Sequence, residues 1–374
     1  MAPPIHLVVT DEQSQLRDTM RKLLADNPPA HSATDRDGRF DPSVWQQLVD
    51  LGVPALVVPE EYGGLGLGPV ESWILFEEFG RALYDGPALS TIAMATAAIL
   101  ESGDAAACAD FLPLIANGEK LIALAATEAD RPWDDARHPR TTAIADEAES
   151  RWLVTGSKMY VVDGTTADVL IVTAAHNGSA SLFAIDAFGH GVRRRPMTGL
   201  DLTRHLAEIV LDSVPARLVG ELGAASRVVD RVRDHVRIAA AAESVGGMRA
   251  CLEMCVEHAK TRNQFGVPIG SFQAVAHRCV DILQRAEFGG AATQYAAAAS
   301  AQALDDAKLA ASVAAAYCGP AYRWVTAETI HLHGGLGFTW EHDAHLYFRR
   351  SRSIEQLFGP TRSHLEAVAT RAGL

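Results

Sequence analysis

A chain of 374 residues, 48% hydrophobic and 21% charged, is long enough for two or three packed domains and too apolar for intrinsic disorder. Its formal net charge of −13 argues against nucleic acid or an anionic membrane as a main partner, because both would repel it. No apolar run reaches the length of a membrane span, and the start lacks a signal-peptide pattern, so we expect a cytoplasmic protein.

Residues 1–120 predict an N-terminal helical domain. Asp41 can cap the segment PSVWQQLVDLG, which has Pro42 at its first helical position and Gly52 at its end. The glycine-rich connection VPEEYGGLGLGPV follows, and an apolar-periodic stretch then runs over 71–100.

Residues 121–219 predict a middle antiparallel β-domain. Short runs rich in β-branched residues, such as RWLVTGSKMYVV and DVLIVTAA, are separated by polar turns such as DGTTAD and HNGSA. Alternation on this scale is typical of strands joined by tight turns.

Residues 220–374 predict a C-terminal four-helix bundle. One very long periodic segment begins near Ala224, and two more helices follow to about residue 333, the third with a bend expected at Pro320. The fourth helix is expected to cover the last twenty-odd residues.

The five cysteines do not indicate a disulfide framework, because their number is odd and no C-x-x-C pair occurs. Cys251, Cys255 and His258 share one helical face. We interpret this as buried core thiols rather than a metal site, and we predict no metal.

Four strings, taken in order, resemble the acyl-CoA dehydrogenase family. They are VPEEYGGLGLG, ALAATE, KTRNQFGVPIGSFQAVAHRCVDI and HLHGGLGFTWEHDAHLYFRRS. The resemblance covers essentially the whole chain and implies an α+β multidomain fold: an N-terminal helical domain, a middle antiparallel β-barrel and a C-terminal four-helix bundle. It also implies FAD as cofactor, an acyl-CoA substrate, a homo- or heterotetramer and an electron-transferring flavoprotein as electron acceptor.

One set of residues is expected, from this resemblance, to bind the FAD of a neighbouring subunit. Arg262 would pair with the diphosphate, for which a guanidinium fork is well suited. Phe265 and Gln273 match positions at the adenosine portion. From the residues alone, Arg262 could also be a solvated charge at a helix end.

The double glycine in HLHGG belongs to the same expected surface. Gly334 and Gly335 match a stretch that contacts the neighbour's dinucleotide, where small residues let backbone N–H groups come close. A plain helix C-cap at Gly334 is the simpler reading. His331 replaces the glutamine usual in the family and could hydrogen-bond the adenosine part.

A second set is expected at the flavin ring. Thr127 matches the residue that hydrogen-bonds the ring near N1 and O2, which steadies charge on the reduced ring. Tyr160 falls where the family often has tryptophan beside the ring. Two departures weaken this site: Val162 replaces a threonine near N5, and residues 129–134 lack the family's glycines and serine.

The catalytic base is the least certain residue. Removing the α-proton needs a carboxylate, but the two family positions for it match Phe358 and Val236. Arg237 matches a common active-site arginine. Glu243, seven residues after Val236, returns to nearly the same helical face and is either a relocated base or a structural acid held by an arginine. Glu355 is a weaker candidate.

Two functions remain open at this point. The chain could catalyse FAD-dependent oxidation of an acyl-CoA thioester to the 2,3-enoyl-CoA, alone or as one subunit of a hetero-oligomer. Alternatively, it could be a non-catalytic partner subunit that completes the flavin sites of a related catalytic chain. Heteromers of this type often act on bulky CoA thioesters, including those with steroid side chains.

Overall fold

The computed structural model of the protein describes residues 7–28, 40–130, 133, 138–149 and 151–374, and in these ranges helices come first, strands second and helices last. The N-terminal helices are α1 (Asp11–Asp26), α2 (Pro42–Asp50), α3 (Pro69–Ala82), a π-helix (Ala88–Ala95), α4 (Thr96–Ser102) and α5 (Ala105–Ala116). The strands that follow are β1 (Ile122–Ala125), β2 (Thr142–Asp146), β3 (Arg151–Val162), β4 (Val169–His176), β5 (Ser179–Asp186), β6 (Val192–Met197) and β7 (Leu206–Val219). The C-terminal elements are α6 (Ala225–Thr261), the short strands β8 (Asn263–Gln264) and β9 (Val267–Pro268), α7 (Gln273–Ala301), α8 (Ala307–His333), α9 (Ala344–Phe358) and α10 (Thr361–Ala372).

The expected domain limits fall in the connections between these groups of elements. The first limit lies between α5 and β1, and the second lies between β7 and α6. At the start of α2, the Asp41 carboxylate accepts a hydrogen bond from the Ser43 amide at 2.8 Å, and Pro42 is the first helical residue. This is the cap that the sequence predicts.

Five of the strands close into a barrel. The ladder runs from β2 through β3, β7, β5 and β4, and the pair Thr142 and Ala175 joins β4 back to β2. The prediction of a purely antiparallel sheet is wrong in two places: β1 lies outside this ring and pairs with β4 in parallel, and the β2–β4 pair that closes the ring is also parallel. The long connection between β1 and β4 permits a crossover, which a tight hairpin does not.

The C-terminal domain is built around α6, which is 37 residues long. The single last helix that the sequence predicts is in fact two helices, α9 and α10. They are divided at Gly359, whose φ is 109°, and Pro360. Proline lacks the N–H needed to continue a helix and disfavours helical backbone in the residue before it. Pro320 lies inside α8, which continues to His333.

The N-terminal and C-terminal helical domains approach each other closely between α3 and α6. A Cβ on Gly246 would lie 1.8 Å from the Glu77 carbonyl oxygen, and one on Gly80 would lie 2.1 Å from the carbonyl oxygen of Glu243. Only glycine permits backbones this close. Within the described ranges, no helix has the length and hydropathy that crossing a bilayer requires.

Candidate functional site

A cavity of about 610 Å³ lies between the ends of β1 and β3 and the C-terminal end of α9. Four of its lining residues, here called its buried end, are large and buried: Met94, Trp133, Val162 and Phe358. Its outer part is lined by Thr127, Tyr160, Gln356 and Leu357, among others. An adjoining cleft of about 1010 Å³ shares the last three of these residues. The residues that line the two spaces form one continuous wall between the barrel and α9.

Tyr160 is held at this wall by an irregularity in β3. The register between β3 and β7 shifts between Lys158 and Val161, and Tyr160 has a positive φ of 57°. Bulges of this kind re-aim side chains and occur next to functional sites. The neighbouring Met159 amide donates to the Thr127 carbonyl at 2.9 Å, so one local distortion brings Thr127 and Tyr160 to the same cavity.

A buried ion pair holds together the two segments that carry Thr127 and Tyr160. The Lys158 ammonium is fully buried and lies 2.7 Å from a carboxylate oxygen of Glu128, which directly follows Thr127. Glu128 also accepts hydrogen bonds from the Arg140 amide and from the Thr141 amide and hydroxyl. Burial opposes ionisation of Glu128, but Lys158 and these donors prevail and lower its pKa to about 2. Sequence reasoning missed this pair, because its members are thirty residues apart.

Glu128 is, in the described part of the chain, the one carboxylate that lines the 610 Å³ cavity. A carboxylate with a pKa near 2 is a weak base, since it holds a proton poorly near neutral pH. Its oxygens are also engaged by Lys158 and Thr141. The described residues of this site therefore present no acid suited to abstract an α-proton.

Glu243 lies elsewhere, in a buried charge cluster where the three domains meet. One carboxylate oxygen accepts from Arg204 at 2.6 Å, and the other lies 3.4 Å from Arg350, which also binds Asp201 at 2.7 Å. All four side chains are buried. The carboxylate borders a separate small cavity that contains Asp163 and does not line the wall with Thr127 and Tyr160.

The other residues of the expected catalytic region are also paired or apolar. The Arg237 guanidinium donates to the Asp234 carboxylate at 2.7 Å and borders a different cavity of about 380 Å³. Val236 is fully buried. Glu355 accepts from Arg352 at 2.6 Å and from Arg323 at 3.3 Å.

Phe358 occupies the position that the resemblance gives to a base, and Trp133 packs against it. The two rings meet edge to face with their centroids 6.2 Å apart. The Trp133 carbonyl accepts a hydrogen bond from Arg233 Nε at 3.0 Å. Of the loop that departs from the family pattern, Arg131, Pro132 and Asp134 lie outside the described residues.

The residues expected at a neighbour's FAD lie together at the far end of the helical domain. Arg262 ends α6, and Gly334 ends α8. The ring centroids of His258 and His333, in the last turns of these helices, are 4.5 Å apart. Phe265 at the tip of the β8–β9 turn is 93% exposed. Also exposed are Gln273, His331 and Gly335.

These two groups of residues do not share a cavity within one protomer. Thr127 and Tyr160 line the barrel wall, whereas none of the helix-end residues lines that cavity or the adjoining cleft. This separation agrees with the resemblance, which implies that FAD contacts both groups by lying between two protomers.

The available groups fit such a dinucleotide. Thr127 lines the cavity, and its hydroxyl makes no hydrogen bond to another described residue. The Arg262 guanidinium is exposed and has no ion pair within the described ranges. A Cβ on Gly334 or Gly335 would meet nothing within 4 Å, which leaves their backbone accessible. A hydroxyl, a guanidinium and free backbone suit a flavin ring and a diphosphate.

The cysteines behave as core residues. Cys251 and Cys255 are buried, and the Cys255 thiol contacts the Thr329 hydroxyl at 3.6 Å. Burial raises the pKa of Cys255 to about 12, so the thiolate that a metal needs is disfavoured. Within the described ranges, no group of three or more His, Cys, Asp or Glu side chains is arranged to hold a metal ion.

Comparison with known proteins places this geometry in one family. Residues 10–119 match the model of the acyl-CoA dehydrogenase N-terminal domain, and residues 226–373 match that of the C-terminal domain. Acyl-CoA dehydrogenase IpdE2 of Mycobacterium tuberculosis is 33% identical over 373 residues, which is 98% of each chain.

Solved structures agree in fold. The Tcur3481-Tcur3483 steroid ACAD superposes with a TM-score of 0.87 at 28% identity, covering 98% of this chain and 99% of that one. Butyryl-CoA dehydrogenase of Megasphaera elsdenii superposes with a TM-score of 0.91 at 23% identity, covering 98% and 99%. The predicted fold class is thereby confirmed. Acyl-CoA dehydrogenases are FAD-dependent oxidoreductases that act on a CH–CH bond, and this chain belongs to the acyl-CoA dehydrogenase family.

Proposed function

We propose that this chain is one subunit of a hetero-oligomer that oxidises an acyl-CoA thioester to the 2,3-enoyl-CoA, and that a related chain supplies the base. The observation that carries the proposal is the cavity beside Thr127. Phe358 stands where a carboxylate is needed, and the one acid among the described residues that line the cavity, Glu128, is held ionised by Lys158. The similar Tcur3481-Tcur3483 steroid ACAD is named for two chains, which supports a heteromer and a bulky substrate.

FAD, when bound, accepts the hydride from the substrate. The chain's own residues have positioning and binding roles in this proposal. Thr127 donates a hydrogen bond to the ring, and the Tyr160 side chain stacks beside it. These two residues serve the cofactor whose ring lies at this chain's own cavity.

The helix-end surface serves the cofactor of the related chain. Arg262 pairs with the diphosphate, and the backbone of Gly334 and Gly335 lies against it. Phe265 packs on the adenosine portion. Gln273 and His331 offer it hydrogen bonds. Exposure of these groups in the isolated protomer supports this role, because Phe265 lies against the exposed Phe272 in an apolar patch, which is typical of an interaction surface.

Glu243 and Arg237 have structural roles in this proposal. Two guanidinium groups neutralise Glu243 and leave it no free oxygen to act as a base. Arg237 is committed to Asp234. An electron-transferring flavoprotein is the proposed electron acceptor, and the cytoplasm is the proposed compartment.

Reconstitution tests the proposal. The chain would be purified alone and also co-expressed with each related family member of its own genome. An acyl-CoA panel that includes steroid side-chain thioesters would then be added anaerobically while the flavin band is recorded. We expect bleaching only for a co-purified pair. Bleaching of the flavin in the isolated chain at a rate equal to that of the pair would overturn the proposal.

A further inference from the structure

We infer that Trp133 and Phe358 close the buried end of the cavity, so that this chain's own cavity admits a flavin ring but excludes the acyl group of a thioester. The inference rests on the proposed function and identifies which cavity of the hetero-oligomer receives substrate. Oxidation would then take place only at the related chain's cavity, with one thioester site for each pair of chains.

The closing wall consists of large, buried side chains. Trp133 and Phe358 are each 5% exposed, and their rings are in edge-to-face contact. Met94 and Val162 complete this end of the cavity and are also buried. Rings packed in this way resist displacement, because opening the wall would cost the contact between them and expose apolar surface.

The backbone that carries Trp133 is attached to the long helix α6. Two N–H groups of Arg233 point at the Trp133 carbonyl oxygen, with Nε at 3.0 Å. Arg233 is itself buried, and its remaining nitrogen donates to Asp230 at 2.6 Å. A charged donor that makes two hydrogen bonds to one carbonyl is a strong anchor. Trp133 is therefore held in place by hydrogen bonds to α6 as well as by the contact of its ring with Phe358.

The chemistry of the wall also disfavours a reacting thioester. Enolate-like charge on the thioester carbonyl needs hydrogen-bond donors, and Met94, Val162 and Phe358 offer none. Among the described lining residues, Thr127 and Tyr160, at the outer part, are the two that carry hydroxyl groups. The outer part thus suits a polar ring edge, whereas the indole N–H of Trp133 is the one side-chain donor among the described residues of the inner part.

The test uses thioester binding rather than turnover. The FAD-loaded chain would be titrated with acetoacetyl-CoA, whose enolate gives a long-wavelength absorbance band when it stacks on oxidised flavin, and the heat of binding would be measured in parallel. Wild type is expected to show no band. The double variant Trp133→Ala/Phe358→Ala is expected to show the band and to bind at least about tenfold more tightly, a difference of about 1.4 kcal/mol.

Two controls make the result specific. Phe188→Ala removes an exposed aromatic ring distant in sequence from the cavity lining and should behave as wild type. If the double variant loses its flavin, the single variant Phe358→Leu replaces it in the test. This variant should bind acetoacetyl-CoA measurably more tightly than wild type. Equal binding by wild type and either opened variant would overturn the inference.

The outcome also separates this inference from the proposed function. If wild type binds acetoacetyl-CoA but an acyl-CoA does not bleach its flavin, the closure is wrong and the need for a related chain stands. If an acyl-CoA bleaches the flavin of wild type alone, the proposed function itself fails.

Discussion

The Lys158 ammonium and the Glu128 carboxylate form a buried ion pair 2.7 Å apart, next to the cavity wall that carries Thr127 and Tyr160. Each member is adjacent in sequence to the wall: Glu128 follows Thr127, and Lys158 precedes Met159, whose amide binds the Thr127 carbonyl. The pair therefore connects the fold of the barrel to the placement of the cofactor-binding residues.

Removing the lysine should destabilise the protein strongly. Lys158→Met leaves Glu128 buried without a counter-charge, which costs about 3–5 kcal/mol and should be measurable by urea unfolding. The double variant Lys158→Met/Glu128→Gln should recover part of the loss. Lys120→Met, at an exposed pair with Asp168, is the matched control and should change stability by less than about 1 kcal/mol. A loss no larger than that of the control would contradict the role of the pair.

Asp163 should make stability depend on pH. Burial is the main cause that raises the pKa of Asp163 to about 7, against the bond from Ser90 and the nearby Arg204. Because its folded pKa lies above the unfolded value of about 3.9, its contribution is fully present below that value and is lost as pH rises through 7.

The variant Asp163→Asn isolates this effect. The asparagine side-chain carbonyl can still accept the hydrogen bond that the Ser90 hydroxyl donates to the Asp163 carboxylate at 2.6 Å. Asparagine also tolerates the positive φ of 54° at this position. Between pH 5 and pH 8, the urea midpoint of the variant should rise relative to that of wild type. Parallel midpoint curves for the two proteins would show that Asp163 does not titrate in this range.

Glu243 should prove to be a stabilising rather than a catalytic residue. Glu243→Gln removes the charge that Arg204 and Arg350 share, and breaking a buried pair of this kind costs about 3 kcal/mol or more. In the reconstituted pair, turnover per folded molecule should stay within about twofold of wild type, a change below 0.5 kcal/mol. A stable variant with abolished turnover would restore Glu243 as a base.

Arg262 should control retention of FAD at the related chain. Arg262→Ala removes a charge-assisted contact worth about 1.5–3 kcal/mol, so we expect at least about tenfold weaker FAD binding. Released flavin can be followed by its fluorescence on dilution of the pair. Arg362→Ala removes an exposed arginine paired only with Glu366 among the described residues and serves as the control. Equal release from both variants would place Arg262 outside the FAD site.

Restoring a carboxylate should not by itself restore chemistry. Phe358→Glu puts an acid at the buried end of the cavity, where burial would raise its pKa toward that of a useful base, but Trp133 still closes the space. The isolated single variant should leave its flavin oxidised in the presence of acyl-CoA. Phe358→Glu/Trp133→Ala should bleach at least about tenfold faster than Phe358→Gln/Trp133→Ala, a difference of about 1.4 kcal/mol. Bleaching by the single variant would argue against the closure.

Local patterns in the sequence were sufficient for the family, the fold class and the enzyme class with its FAD cofactor, all of which are confirmed. The cap at Asp41 was also readable, because it depends on neighbouring residues. The division of the last helix at Gly359 and Pro360 depends on neighbouring residues in the same way.

Other features depend on groups that are distant in the chain. The parallel pairing of β1 with β4 joins segments that are distant in the chain, and the charged partners of Glu128 and Glu243 lie 30 to 107 residues away. Periodicity shows which face of a helix Glu243 occupies, but not that Arg204 and Arg350 meet it there. Sequence spacing thus determined the elements and the family. Only the tertiary structure decided which acids are neutralised and which side chains line the cavity, because burial and charge pairing arise where separate segments come into contact.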